Sequence, residues 1–103
     1  MTVPLGELAT LVRSKNAGPF WVTIDIFFPT TATYERASHS AATDPRTIGD
    51  LYRVDHNRIR IFHLPELCAI KISFPRPITQ GALRDRDMHA GQQHVPLSGL
   101  AIA

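Results

Sequence analysis

The chain has 103 residues, 44% of them apolar and 19% charged, which fits one folded domain and excludes both a second independent core and a disordered chain. Eleven basic residues interleave with nine acidic ones for a formal charge of +2, so no basic block exists to draw nucleic acid or anionic lipid over a broad surface. The single cysteine, Cys68, rules out an intrachain disulfide scaffold, and no apolar run approaches the roughly 18 residues of a membrane span. With no export-signal pattern at the start, the expectation is a cytoplasmic protein without a membrane segment.

In chain order, Leu5, Leu8, Ala9, Leu11 and Val12 recur at helical spacing, and Pro4 and Glu7 suit a first turn. The spacing predicts a short amphipathic helix from Leu5 to about Arg13, ending in RSKNAGP, where Gly18 and Pro19 stop it. Phe20 to Phe28 (FWVTIDIFF) is dense in β-branched and aromatic residues and reads as the central strand. Alternation puts Phe20, Val22, Ile24, Ile26 and Phe28 on one face and Trp21, Thr23, Asp25 and Phe27 on the other.

Thr31 to Ser40 reads as a helix with a threonine cap and with Tyr34, Ala37 and Ser38 on one side. A second helix begins at Asp44-Pro45, a cap followed by a first-turn proline, and carries the stripe Ile48, Leu51 and Tyr52 despite Gly49. Arg58–Leu64 and Cys68–Phe74 then read as two strands of an antiparallel hairpin around Pro65 and Glu66. Beyond Pro75 the periodicity vanishes, and only the closing LAIA could pair as a short edge strand.

These elements predict an α+β, two-layer sandwich, ferredoxin-like and with the N-terminal helix in a permuted position. A mostly antiparallel sheet of about three to four strands would carry its helices on one face. The chain is expected to be a single domain over residues 1–103, with residues 76–95 as a long irregular polar segment. A compact domain seldom carries so long an irregular stretch unless it binds, catalyses or meets a partner.

That segment contains RDRDMHAGQQH. Asp85, Asp87 and His89 alternate, and His94 follows five residues later, so an extended chain would turn the first three to one side. Two carboxylates and two imidazoles suit general acid–base catalysis, which makes Asp85, Asp87, His89 and His94 the candidate catalytic residues. The same four could hold a divalent metal, although the spacing matches no zinc or calcium pattern and no strong motif demands a cofactor. Arg84 and Arg86, with Gln92 and Gln93, are candidates for binding a carboxylate or phosphate. The plain alternative is a solvated loop whose Arg–Asp pairs contribute about 0 to 1 kcal/mol each.

Lys15 and Asn16, in RSKNAGP, are further candidate substrate-binding residues. A phosphate cradle would have to precede a helix rather than follow one, so a helix C-cap is the plainer reading of the same stretch. Asp25 and Lys71 fall on the same semi-polar sheet face, either as a cross-strand ion pair or with Lys71 turned toward a ligand. Cys68 reads as a small apolar residue rather than a nucleophile.

Through RSKNAGPFWVTIDIFF, IKISFPRP and GALRDRDMHAGQQHVPL, the chain resembles over nearly its whole length a bacterial family that is a domain of unknown function. That family is similar to the small ferredoxin-fold domain found beside, or fused to, the large domain of acyclic terpene utilisation (AtuA-like) proteins. A motif of the RSGDKG kind there stands where RSKNAG stands here. This chain departs from it at Lys15, Asn16 and Ala17, so a role carried by the motif's aspartate does not transfer. The resemblance implies a small accessory or co-catalytic subunit of a larger AtuA-like catabolic enzyme acting on organic acids or acyl compounds. Its expected partners are that larger subunit, a second copy of the chain, or both. The alternatives are a self-sufficient lyase, hydratase or isomerase using His89 and His94, and a metal-binding module.

Overall fold

The computed structural model describes residues 2–18, 20–40, 43–76 and 95–102. In chain order the elements are β1 (Val3–Pro4), α1 (Leu5–Leu8), β2 (Leu11–Asn16), β3 (Trp21–Phe27), α2 (Thr31–Ser38), α3 (Pro45–Tyr52), β4 (Arg60–Leu64), β5 (Ala69–Pro75), α4 (Val95–Ser98) and β6 (Ala101–Ile102). The fold is α+β. Strands β2, β3, β5 and β4 form an antiparallel four-stranded sheet in that order, and β1 and β6 pair as a separate two-stranded ribbon.

β3 is central because it offers two complete ladders. It pairs with β2 from Leu11↔Phe27 to Asn16↔Val22 and with β5 from Trp21↔Pro75 to Phe27↔Ala69. Helices α2 and α3 carry the chain from β3 to β4 at the far edge, and β5 then returns between them. The result is a split β-α-β arrangement, the ferredoxin-like half motif expected from the sequence.

The two crossover helices start where local chemistry directs. The Thr30 hydroxyl accepts from the Thr33 backbone N–H at 3.1 Å while the Thr33 hydroxyl accepts from the Thr30 N–H at 3.3 Å, a reciprocal cap that satisfies two otherwise orphaned donors. Pro45 opens α3, and Arg53 closes it in the left-handed conformation at φ 57°. Gly49 is required by close approach: a Cβ there would lie 2.7 Å from the Val54 carbonyl oxygen, because the chain leaving α3 folds back over it.

The core lies on one side of the sheet. Val22, Ile24 and Ile26 of β3 and Ile70, Ile72 and Phe74 of β5 are fully buried beneath Tyr34, Ala37, Ile48 and Tyr52 of the helices. Phe74 stacks on Tyr52 with ring centroids 4.6 Å apart. Leu5, Leu97 and Ile102 complete this core, and the Leu5 N–H donates to the Leu100 carbonyl at 2.8 Å, tying the two ends of the chain together. Among the described residues, no helix is long and apolar enough to cross a membrane.

The first fifteen residues correct the sequence reading. The helix expected from Leu5 to Arg13 stops after one turn at Leu8, with Ala9 extended (φ −87°, ψ 152°). Leu11–Asn16 is instead an edge strand. Residues 11–16 carry two patterns: Leu11 and Val12 continue a helical spacing, while Leu11, Arg13, Lys15 against Val12, Ser14, Asn16 alternate. The strand prevails because six residues gain a ladder against β3, which one further turn of isolated helix would not match. RSKNAG is therefore not a helix C-cap. It ends β2 and opens the hairpin to β3, with Gly18 in the left-handed region at φ 84°. The permuted N-terminal helix likewise gives way to the one-turn α1, packed beside α4.

Candidate functional site

Opposite the core, the sheet presents a second face whose residues fall into rows set by the strand register. One row runs Leu11, Phe27, Ala69, Leu64; the next Arg13, Asp25, Lys71, Phe62; the third Lys15, Thr23, Ser73, Arg60. Leu11 and Phe62 are each 47% exposed and Leu64 38%, which is unusual for large apolar side chains in adjacent rows of one sheet. The face is therefore apolar at one end and cationic across its middle.

Asp25 is the only carboxylate in these rows. It pairs with Arg13 at 3.6 Å, and Arg13 also stacks over the Phe27 ring at 5.3 Å. Lys71 stands directly opposite Asp25, yet the cross-strand ion pair goes to Arg13, from the other neighbouring strand. Lys71 and Lys15 project as exposed cations without a carboxylate partner among the described residues, as does Arg60. Arg58 adds another positive charge at the margin, 5.8 Å from the centroid of Trp21.

Between these cations and the apolar end lies a groove of about 480 Å³ lined by Ala17, Thr23, Phe62, Leu64, Lys71 and Ser73. Its floor is polar: the Thr23 and Ser73 hydroxyls hydrogen-bond to each other at 3.2 Å, and Thr23 is 3% exposed. Alternation along the strands places Asp25 and Lys71 on this face, but the groove itself has no local signature. Its floor joins residues fifty positions apart, which only the β3–β5 register aligns.

A second cluster sits at the edge of the helical layer. Tyr34, Glu35 and Ser38 of α2, with His39 just past its end, meet His63 and Pro65 around a pocket of about 380 Å³. His39 Nε2 and Glu35 Oε2 are 3.0 Å apart, one helical turn from each other. Burial pushes the Tyr34 hydroxyl above its ordinary value, with the nearby Glu35 and Cys68 adding to the shift. Among the described residues, no group of three or more His, Cys, Asp or Glu side chains is placed to hold a metal ion. The i, i+4 spacing of Glu35 and His39 is legible in the sequence; the approach of His63 is not.

Residues 5–101 match the family described as Domain of unknown function (DUF4387). The chain belongs to that family. No curated protein and no solved structure matches it significantly.

Of the candidate residues in this DUF4387 domain, Lys15 lies on the groove side of β2, opposite Thr23. Asn16 lies on the other side, half-buried, and its Oδ1 accepts a hydrogen bond from Arg76 Nη1. Asn16 therefore fastens the end of β2 to the end of β5 instead of facing the groove. Arg84, Asp85, Arg86, Asp87, His89, Gln92, Gln93 and His94 lie outside the described residues. Cys68 follows the turn of Pro65–Leu67 at φ 47° and packs against the core rim, with Thr31 Oγ1 3.9 Å from its sulfur.

Proposed function

We propose that this DUF4387 domain is a small accessory or co-catalytic subunit that docks through its cationic sheet face onto a larger catalytic polypeptide of the AtuA-like type. The substrate class is organic acids or acyl compounds. The observation that supports this reading is the asymmetry of the sheet. One face is sealed by helices, whereas the other exposes Leu11, Phe62 and Leu64 beside Lys15, Arg60 and Lys71. Large apolar side chains left exposed at both edges of one sheet face, Leu11 on β2 and Phe62 and Leu64 on β4, are a feature of interaction surfaces. The surrounding cations suit a partner surface of opposite charge.

In this reading, Asp85, Asp87, His89 and His94 contribute acid–base groups to a shared active site, and Arg84 and Arg86 help to bind the substrate. Co-expression with an AtuA-like large subunit followed by size-exclusion chromatography tests the docking. Co-elution at a fixed ratio is expected, and Phe62→Asp should abolish it whereas His39→Ala, on the opposite side of the sheet, should not. Separate elution of the two wild-type chains, or loss of the complex with His39→Ala alone, would remove the proposal.

A further inference from the structure

The groove across β3, β5 and β4 has the composition of an anion site with an apolar wall, in a chain whose acidic and basic residues otherwise nearly balance. No described carboxylate lines it, and Asp25, opposite Lys71 in register, is paired with Arg13. That leaves Lys71 in the groove lining, and Lys15 and Arg60 opposite the lining residues Thr23 and Ser73 in register, with positive charge that no described side chain offsets. The hydroxyl floor adds a donor. Thr23 is 3% exposed and Ser73 half-buried, so with the Thr23 O–H donating to Ser73 Oγ the Ser73 O–H is the one left to donate outward. Across from these groups, Phe62 and Leu64 supply an apolar wall that is partly open to water.

From this juxtaposition we infer that the groove binds an aliphatic carboxylate. The carboxylate accepts hydrogen bonds from Lys71 Nζ and from the free hydroxyl of the Thr23–Ser73 pair, and the alkyl chain lies against Phe62 and Leu64. A neutral polar ligand would leave the cations unmatched, and a small inorganic anion would leave the apolar wall wet. The inference gives the proposed organic-acid chemistry a physical subsite at the docking face. It needs only this chain's own residues, so separate elution of a large subunit leaves it standing.

The test uses the intact chain and three probes: hexanoate, its neutral isostere hexanamide, and acetate. Backbone amide NMR titration of a shallow site with a six-carbon acid should give a Kd on the order of 1 mM. Shifts should centre on Thr23, Phe62, Lys71 and Ser73, and both hexanamide and acetate should bind about tenfold more weakly. Lys71→Met should erase the preference for hexanoate over hexanamide, and Phe62→Ala the preference over acetate. Both positions are exposed, so the spectra elsewhere should be unchanged, which separates loss of binding from loss of fold. Equal affinity for hexanoate and hexanamide, shifts centred away from the groove, or wild-type selectivity in Lys71→Met would overturn the inference. Binding of an acidic protein surface with no response to hexanoate would do the same.

Discussion

The two faces of the four-stranded sheet are built by the same ladders, and alternate residues of β3 belong to each. Val22, Ile24 and Ile26 are wholly buried on one side; Trp21, Asp25 and Phe27, between and beside them, stay half-buried on the other. The buried face is apolar, β-branched and closed by helices, so its residues are there for packing. The other face mixes aromatic rings, hydroxyls, one carboxylate and several cations, which serve no core. In β3 the packed side of the sheet and its open side are thus separated by a single residue step.

Removing a large side chain from the buried face should have the greatest effect on stability. Phe74→Ala should cost about 3–5 kcal/mol in urea unfolding, because the cavity opens under Tyr52 where the layers meet. A loss no greater than that of an exposed aromatic would mean the core is not where the structure puts it.

Next comes pH. Burial raises the Tyr34 and Tyr52 hydroxyls above the ordinary value of 10.0, a hydrogen bond with the Leu97 backbone pulling Tyr52 partly back. Unfolded tyrosines release their protons first as pH rises, so the unfolded state gains and stability falls above about pH 10, with no contribution from these groups below it. Urea midpoints measured from about pH 8 to 11 should show this decline, and Tyr52→Phe should make it shallower. An unchanged slope in that variant would place the alkaline sensitivity elsewhere.

Gly49→Ala should destabilise by about 1–3 kcal/mol although alanine is the better helix former, since its Cβ would meet the Val54 carbonyl oxygen at 2.7 Å. Thermal unfolding of the two proteins reads this directly, and a stabilised variant would show that the chain after α3 can move aside. Smallest of all should be Phe62→Ala on the groove face, under about 1 kcal/mol by the same measurement, because that ring is already half in water. Its expected effect is on binding instead. If it unfolds the protein as Phe74→Ala does, the division of labour between the faces is wrong.

Much of the architecture was legible in the residues. FWVTIDIFF announced β3 and the parity of its faces, the Asp44-Pro45 pair announced α3, and the hairpin around Pro65 followed from two alternating runs. The stretch from Leu8 to Asn16 misled because it satisfies helical and strand periods at once, and only the ladder with β3 decides between them. The groove was half legible. Asp25 and Lys71 stood out as charges on strands, but neither the choice of Arg13 as ion partner nor the Thr23–Ser73 floor could be read without register.

The amino-acid order thus dictated the elements whose signals are local: caps, turn residues, and the alternation that sorts β3 and β5 into an apolar and a polar side. Register, and the addition of β2 at the edge of β3, came from packing. They depend on which distant ladders bury the most apolar surface while pairing every backbone group, a sum over the whole domain that no window of neighbouring residues contains. That sum fixed the register of β5 with β3 and β4, and it thereby set Lys71, Thr23, Ser73 and Phe62 around one groove.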